Sequence, residues 1–348
     1  MIDKIANEIT KHSGIKCDTR SVLKILSAIR KSNNIWMIST LSREPLVLVS
    51  KAIPILANWG LIEYTDGDIK PRDLGLKILK DEGYEENDHT CKVCSGRGII
   101  TSHMPPDAIR EYTKIAASRP RPLQKYDQAF VTCETAFARV AIMDHYGDIK
   151  GRRILLIGDD DLISIAIGLL GKAKKITVIE VDERLAKYIS KVSREYGLDI
   201  DVDIRDITDP LPENMLHSYD TFHADPPEPI EAIRLFVGRG IAALTTRGAG
   251  YVSLSLIDSS IYKWQEVQRI LTVEFQVVIT DIIRDFNVYQ NWEYLESMKI
   301  WNMLPTRQKP PEGWYRTALM RIETLEGSRG TNEKISAEIY SDVENISQ

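Results

Sequence analysis

A single glycine followed by three carboxylates, Gly158-Asp159-Asp160-Asp161, is the stretch most able to do chemistry. A second acidic loop, Asp225-Pro226-Pro227-Glu228, follows about sixty residues later. Each comes after a run of buried-strand character, beginning at Arg153 and at Asp220. In an open α/β sheet, ligands bind outside the carboxyl ends of neighbouring strands. Two acidic loops at such ends make one pocket for a cation. Three carboxylates at a helix start repel phosphate, and the helix dipole helps to keep them ionised. Capping that helix explains one aspartate but not three, because grouped charges are costly to bury without a partner. The two prolines fix the backbone and hold Asp225 and Glu228 rigidly. A carboxylate there binds an ammonium and takes its proton when the free amine attacks, which makes Asp225 a candidate catalytic residue.

The same unit carries nucleoside signals. Glu180 lies 22 residues beyond Gly158, and Asp182 lies 24 beyond it. An acidic residue at about that distance holds the ribose hydroxyls in dinucleotide-binding folds. Asp206, at the next strand end, is the candidate acceptor for an adenine amino group. The G-x-G-x-x-G fingerprint of pyrophosphate binding is missing. The pattern therefore asks for a positively charged nucleoside without phosphate, such as an S-adenosyl sulfonium. Tyr126, Asp127 and Gln128 precede the nucleotide unit and are candidate substrate contacts; a plain turn and helix cap explains them equally well.

These loops need a sheet to hold them. From Gly151 onward strands alternate with helices. The strands are expected at 153–158, 175–180, 200–204, 221–224, 251–256 and 275–282, and the helices at 162–170, 183–196, 229–237 and 259–271. A further antiparallel strand is expected at 317–322. This predicts an α/β, Rossmann-like sheet of the methyltransferase type, largely parallel and covered by helices on both faces. Residues 123–325 are read as this catalytic domain, with a helix over 133–146. Residues 326–348 form an acidic tail, read as mobile or as a docked short helix.

Residues 1–88 show helix, helix, turn, helix and then a hairpin at Asp66-Gly67, the order of a winged-helix-like α+β domain. Its third helix, from Leu46 to Trp59, offers only Lys51 to a phosphate and contains Pro54, which predicts a kink. A recognition helix needs a basic footprint, so packing is favoured over DNA binding. Residues 89–122 read as a CxxC segment and a surface connector punctuated by prolines. Cys91 and Cys94 make one knuckle, a candidate structural metal site that lacks two of the usual four ligands; His89 and His103 flank it.

The 348 residues carry a net charge of −5, with 43% hydrophobic and 27% charged residues. That is an ordinary globular composition, and the sign argues against a general nucleic-acid binder. No apolar run is long enough for a membrane span. Four cysteines are too few for a disulfide scaffold, so a reducing cytoplasm is the expected setting.

Gly158-Asp-Asp-Asp161 together with Asp225-Pro-Pro-Glu228 resembles the branched-chain polyamine synthases of thermophilic archaea and bacteria. The likeness extends over the N-terminal domain and the Tyr126-Asp127-Gln128 segment. It implies an aminopropyltransferase with decarboxylated S-adenosylmethionine as co-substrate and spermidine as acceptor. N4-bis(aminopropyl)spermidine would be the end product and methylthioadenosine the by-product. It further implies a homodimer that needs no cofactor for its chemistry. Under this resemblance Asp159 is the key catalytic group, and Asp160, Asp161, Asp225 and Glu228 line the polyamine site. Tyr262, Trp264, Tyr289, Trp292 and Tyr294 are aromatics available for cation–π contact. The alternatives are an S-adenosylmethionine-dependent amino-methyltransferase and a winged-helix DNA-binding regulator. The first places an aromatic after Asp-Pro-Pro to stack on a base, where this chain has Glu228.

Overall fold

The structure, a computed structural model, describes residues 1–84, 91 and 93–348. The chain opens with α1 (Ile2–Ser13), α2 (Thr19–Lys31), α3 (Ile35–Ser42) and α4 (Leu46–Asn58). A hairpin of β1 (Ile62–Thr65) and β2 (Asp68–Pro71) and then α5 (Asp73–Asp81) follow. Side-chain caps set the starts: Asp18 accepts from the Ser21 amide at α2, and Asn34 from the Trp36 and Met37 amides at α3. Helix α4 is buried along most of its length, which accounts for its apolar sequence. It runs through Pro54 as one continuous helix.

The proline-rich stretch after the CxxC segment is not a surface connector. It forms α6 (Pro106–Ala116), in which Pro106 opens the helix and Ala108, Tyr112 and Ile115 face the interior. Proline at a helix start removes only an amide that would be unpaired there anyway, so these prolines initiate the helix. Helix α7 (Cys133–His145) then leads into the sheet.

The sheet contains β3 (Arg153–Ile157), β4 (Lys175–Glu180), β5 (Ile200–Ile204), β6 (Tyr219–Ala224), β7 (Leu244–Ser255), β8 (Val278–Val288) and β9 (Arg316–Glu323). Its order is β5-β4-β3-β6-β7-β9-β8. The first five strands are parallel, and β9 runs antiparallel between β7 and β8. Between the strands lie α8 (Ile163–Leu170), α9 (Glu183–Tyr196), α10 (Ile230–Ala243) and α11 (Ile261–Arg269). Strand β7 starts earlier than the sequence suggests, and β8 is shifted toward the C-terminus, because pairing with β9 carries it to Val288. One apolar cluster covers the face packed by α7, α8 and α9 and runs on into the N-terminal helices; a second lies under α10 and α11.

Register explains the site. Ile157 pairs with Ile179 on one side and with Ala224 on the other, and Ala224 pairs with Val252. The residues that follow, Gly158, Glu180 and Asp225, therefore emerge side by side at one sheet edge. The acidic tail docks there without forming a helix. Arg239, fully buried on α10, donates to the Thr331 and Glu333 carbonyls, while Ile339 and Ile346 are buried. Among the described residues, no helix is long and apolar enough to cross a membrane.

Candidate active site

At that edge a cavity takes Gly158 and Asp160 from the first acidic loop, Glu180 from β4, and Asp225 and Glu228 from the second acidic loop. Tyr126, Asp127 and Gln128 close one side, Asp258, Tyr289, Trp292 and Tyr315 another, and Tyr340, Ile346 and Ser347 of the tail a third. Gly158 has φ of +71°, a left-handed turn that favours glycine. Its amide donates to the Ile179 carbonyl at 2.9 Å, holding the loop against β4.

The three aspartates face different ways. The Asp159 carboxylate accepts from the Ser164 amide at 3.2 and 3.3 Å and from its hydroxyl, at the first turn of α8. Asp159 is 3% exposed and Asp161 2%, and neither lines the cavity. Asp161 accepts from the Val131 amide at 2.7 Å and pairs with Arg139 at 2.8 Å. Asp160 does line the cavity. One of its oxygens accepts from the Ala129 amide at 3.1 Å, and the other takes no hydrogen bond among the described residues. The aspartate singled out from sequence is thus committed to a helix start, and its neighbour faces the ligand space. Residue type alone does not reveal this; Leu162 turns the chain with φ of +55° before α8 begins.

Burial pushes the Asp159 carboxyl up to about 8, against the hydrogen bonds from Ser164. Burial, with Asp161, Asp225 and Glu180 adding negative charge, raises Asp160 well above the usual carboxylate range. Asp225 accepts from Arg139 and from the Tyr289 hydroxyl, both at 2.6 Å. Arg139 is fully buried. Burial alone would favour its neutral form, but Asp225, Tyr289 and Asp161 more than offset this and hold it charged. The guanidinium also donates to Asn287 at 2.8 Å, so it ties α7, both acidic loops and β8 together. Arg139 was not among the sequence candidates; a lone arginine beside the apolar Phe137, Val140 and Ala141 of its helix was the available sign.

On the nucleoside side, Glu180 accepts from the Asp159 amide at 3.0 Å and the Asp182 amide at 2.8 Å, which fixes its carboxylate at the cavity wall. Asp182 does not line the cavity. It caps α9 through the Arg184 amide, pairs with the Arg184 side chain at 2.6 Å and accepts from Gln128 at 3.3 Å. Asp206 is exposed, and its side chain binds the Thr208 amide and hydroxyl at 2.9 and 2.8 Å. Of the three nucleoside carboxylates expected, the cavity includes only Glu180.

The approach segment is pinned by the aspartate loop through the Ala129 and Val131 amides. Val131 also bridges to Tyr289, beside the end of β8. Asp127 receives the Ser347 hydroxyl and the Asn345 amide of the tail, and burial pushes its carboxyl up to about 6. Tyr126 faces Tyr340 with ring centroids 6.4 Å apart. Among the aromatics noted from sequence, Tyr289 and Trp292 line the cavity. Tyr294 donates to the Gln128 carbonyl at 2.6 Å, Tyr262 to Asp18 at 3.0 Å, and buried Trp264 to the Ser255 carbonyl at 2.8 Å. Asp258, Tyr315 and the tail residues escaped the sequence reading. Asp258 was within reach: it stands three residues past the end of the next parallel strand, where a carboxylate is informative.

Cys91 and Cys94 lie at the surface, away from this cavity, and both are free thiols. Hydrogen bonds from the Cys94 and Val93 amides lower the Cys91 thiol. Among the described residues, no group of three or more His, Cys, Asp or Glu side chains comes together to hold a metal. His89 lies outside the described residues.

A mostly parallel sheet, a glycine turn beside a ribose-type carboxylate, and an acidic chamber without a phosphate loop define a Rossmann-like, nucleoside-dependent enzyme for cationic substrates. Residues 107–347 match the family model for the branched-chain polyamine synthase A C-terminal domain. The chain belongs to the branched-chain polyamine synthase family. It is 41% identical over 346 residues to the N(4)-bis(aminopropyl)spermidine synthase of Thermococcus kodakarensis, covering 98% of each chain. It is 40% identical over 348 residues to the enzyme of the same name from Methanocaldococcus jannaschii, covering 99% of each. The fold superimposes with a TM-score of 0.92 on the crystal structure of the branched-chain polyamine synthase from Thermus thermophilus. That protein, 32% identical, was crystallised with N4-aminopropylspermidine and 5'-methylthioadenosine; the match covers 100% of this chain and 98% of that one.

Proposed function

We propose that the protein transfers the aminopropyl group of decarboxylated S-adenosylmethionine to the N4 secondary amine of spermidine. The first transfer gives N4-aminopropylspermidine and the second N4-bis(aminopropyl)spermidine, each releasing methylthioadenosine. The observation that carries this reading is a chamber in which Asp160, Asp225 and Glu228 converge beside a nucleoside-type carboxylate, Glu180. The donor's adenosine lies over Gly158 with its ribose hydroxyls on Glu180. The sulfonium then faces Asp160 and Asp225.

In this mechanism the N4 lone pair attacks the propyl carbon bonded to sulfur. The C–N bond forms as the C–S bond breaks, and the electron pair leaves on sulfur, giving a neutral thioether. The N4 proton passes to a carboxylate. Asp160 is the assigned base, because it faces the cavity with one oxygen free of protein donors. A carboxyl held above its usual range is better matched to an amine's proton than an ordinary one. Asp225, fixed by Arg139 and Tyr289, supplies the counter-charge. Orienting two bound substrates provides most of the rate gain. Tyr289 and Trp292 offer π faces to the quaternary nitrogen of the second product.

The N-terminal domain, winged-helix-like in its element order, is assigned a packing role, since its third-helix equivalent is buried. A homodimer is proposed as the working unit; light scattering on a sizing column checks it, and a monomer mass contradicts it. Transfer is tested with purified protein, spermidine and either adenosyl donor. Release of methylthioadenosine with a mass gain of one aminopropyl unit is expected from the decarboxylated donor alone. Methylation by S-adenosylmethionine without aminopropyl transfer would overturn the proposal.

A further inference from the structure

The chamber contains more negative charge than one reacting amine requires. Beside Glu228 lies Asp258, which is 3% exposed and lines the same cavity. The Tyr315 hydroxyl bridges the two, 2.6 Å from Asp258 Oδ2 and 3.1 Å from Glu228 Oε1. A hydroxyl carries one proton, so it donates to one carboxylate only. The second contact needs a proton on a carboxyl, and both carboxyls are held above their usual range, burial being the chief cause. The other oxygen of Asp258 is buried with no hydrogen-bond partner among the described residues. An unpaired buried carboxylate oxygen is costly, and such a group calls for a donor from a ligand. Lys263 does not supply it: its ammonium donates to the Asp258 main-chain carbonyl at 2.9 Å and to Asp342 at 2.7 Å.

The loop that carries Asp258 is fixed from three directions. The Ile257 carbonyl accepts from the Leu46 amide at the start of α4, 2.9 Å away. Lys263 of α11 holds the Asp258 carbonyl. Glu344 of the tail accepts from the Ser260 amide and from its hydroxyl at 2.8 Å. A buried, rigidly held pair of carboxyls with an unfilled acceptor is a seat for a primary ammonium, whose three N–H donors can satisfy both at once.

We propose that Asp258 and Glu228, bridged by Tyr315, bind a terminal ammonium of the acceptor and thereby set which polyamines present their secondary amine to the donor. This rests on the aminopropyltransferase reading above and assigns Asp258 as a specificity-determining residue. The spacing from Asp160 past Asp225 to Asp258 then acts as a ruler for the chain between the secondary and primary amines. A longer acceptor carries a further charge past the seat, and one lacking that end leaves the carboxyls unpaired.

The test combines Asp258→Asn with acceptors that each lack one end. Initial rates are measured for wild type and variant with spermidine, N-propyl-1,4-diaminobutane and N-butyl-1,3-diaminopropane. Methylthioadenosine affinity is measured on the same preparations to report folding and the nucleoside side. We expect the wild type to lose roughly ten- to a hundred-fold in kcat/KM on one of the two truncated amines, the scale of a lost charge-assisted contact. Asp258→Asn should lose a similar factor on spermidine but little more on that same truncated amine, with unchanged methylthioadenosine affinity. An equal loss on all three acceptors overturns the seat and leaves Asp258 a general source of negative charge. Unchanged kinetics with spermidine in Asp258→Asn overturns it as well. If the wild type transfers no aminopropyl group to any amine, the reading beneath the proposal fails instead.

Discussion

The orientation of one carboxylate is the basis for the proposed catalytic role of Asp160. Asp159 holds the first turn of α8, and Asp160 faces the cavity. Asp160→Asn should lower turnover about 10²–10⁴-fold, the usual worth of a positioned base, while methylthioadenosine binding is retained. Asp159→Asn, which mimics a protonated carboxyl and keeps an acceptor for Ser164, should stay within about ten-fold of wild type. Asp159→Ala should instead cost about 1–2 kcal/mol of stability as a lost helix cap, read from the denaturation midpoint. The reverse ranking of Asp159→Asn and Asp160→Asn in a turnover assay would return the base role to Asp159. Titration adds a signed prediction. The Asp159 and Asp258 carboxyls are both pushed up by burial to about 8 from an ordinary 3.8, so between those values the folded chain holds more protons than the unfolded one. Stability of the ligand-free protein should therefore fall as pH rises through that window. Spermidine should release protons on binding near neutral pH, seen as a buffer-dependent heat in calorimetry. Heats independent of buffer ionisation enthalpy would contradict protonated carboxyls in the chamber. That the acidic motifs form one pocket was legible from residue types and from their positions after strands. Which of three adjacent aspartates points inward is set by tertiary contacts, Asp159 with Ser164, Asp161 with Val131 and Arg139, and Asp160 with Ala129, which side-chain chemistry alone does not encode.

Several elements converge on these side chains. Arg139 on α7 pairs with Asp161 and Asp225, one from each acidic loop. Replacing it with methionine leaves the buried Asp161 and the partly exposed Asp225 carboxylates without their cation, a loss of about 3–5 kcal/mol. Chemical denaturation should show that loss, and a midpoint unchanged from wild type would remove Arg139 from its bracing role. The tail contributes Ile346 and Ser347 to the cavity, and its Ser347 hydroxyl engages Asp127. A chain ending after residue 340 should raise the acceptor KM more than it weakens methylthioadenosine binding; equal effects on both would place the tail elsewhere in the cycle. The alternation of strands and helices was readable because buried parallel strands and amphipathic helices leave different periods in a sequence. Helix α6 was not, and the docked tail was only one of two alternatives. The first starts with two prolines that look like a linker, and the second follows no repeating pattern, being fixed by contacts such as Arg239 with the Thr331 and Glu333 carbonyls.

The N-terminal domain and the catalytic sheet pack as one body. Trp36 meets Trp314 edge-on at 4.6 Å, Trp314 lies 5.5 Å from Trp292, and Trp292 lies 4.8 Å from Tyr315 of the chamber. The Thr40 hydroxyl donates to the Trp314 carbonyl at 2.6 Å. This aromatic path, with the Leu46–Ile257 hydrogen bond, makes the N-terminal helices a support for the acceptor wall. Long-range packing of this kind is invisible to a local pattern, although the apolar character of α4 already pointed away from DNA. Trp36→Ala should cost about 3–5 kcal/mol in the denaturation midpoint, as large core truncations do, and should raise the acceptor KM through Tyr315. A stable variant with unaltered KM would uncouple the domain from the site. In the proposed reaction the chamber delivers the donor's propyl carbon to the inner nitrogen of a polyamine. The most direct measurement is the connectivity of the product formed from spermidine labelled with 15N at N4, read by tandem mass spectrometry. The new aminopropyl chain should be bonded to the labelled nitrogen, once and then twice. A linear tetraamine extended at an unlabelled terminal nitrogen would contradict it.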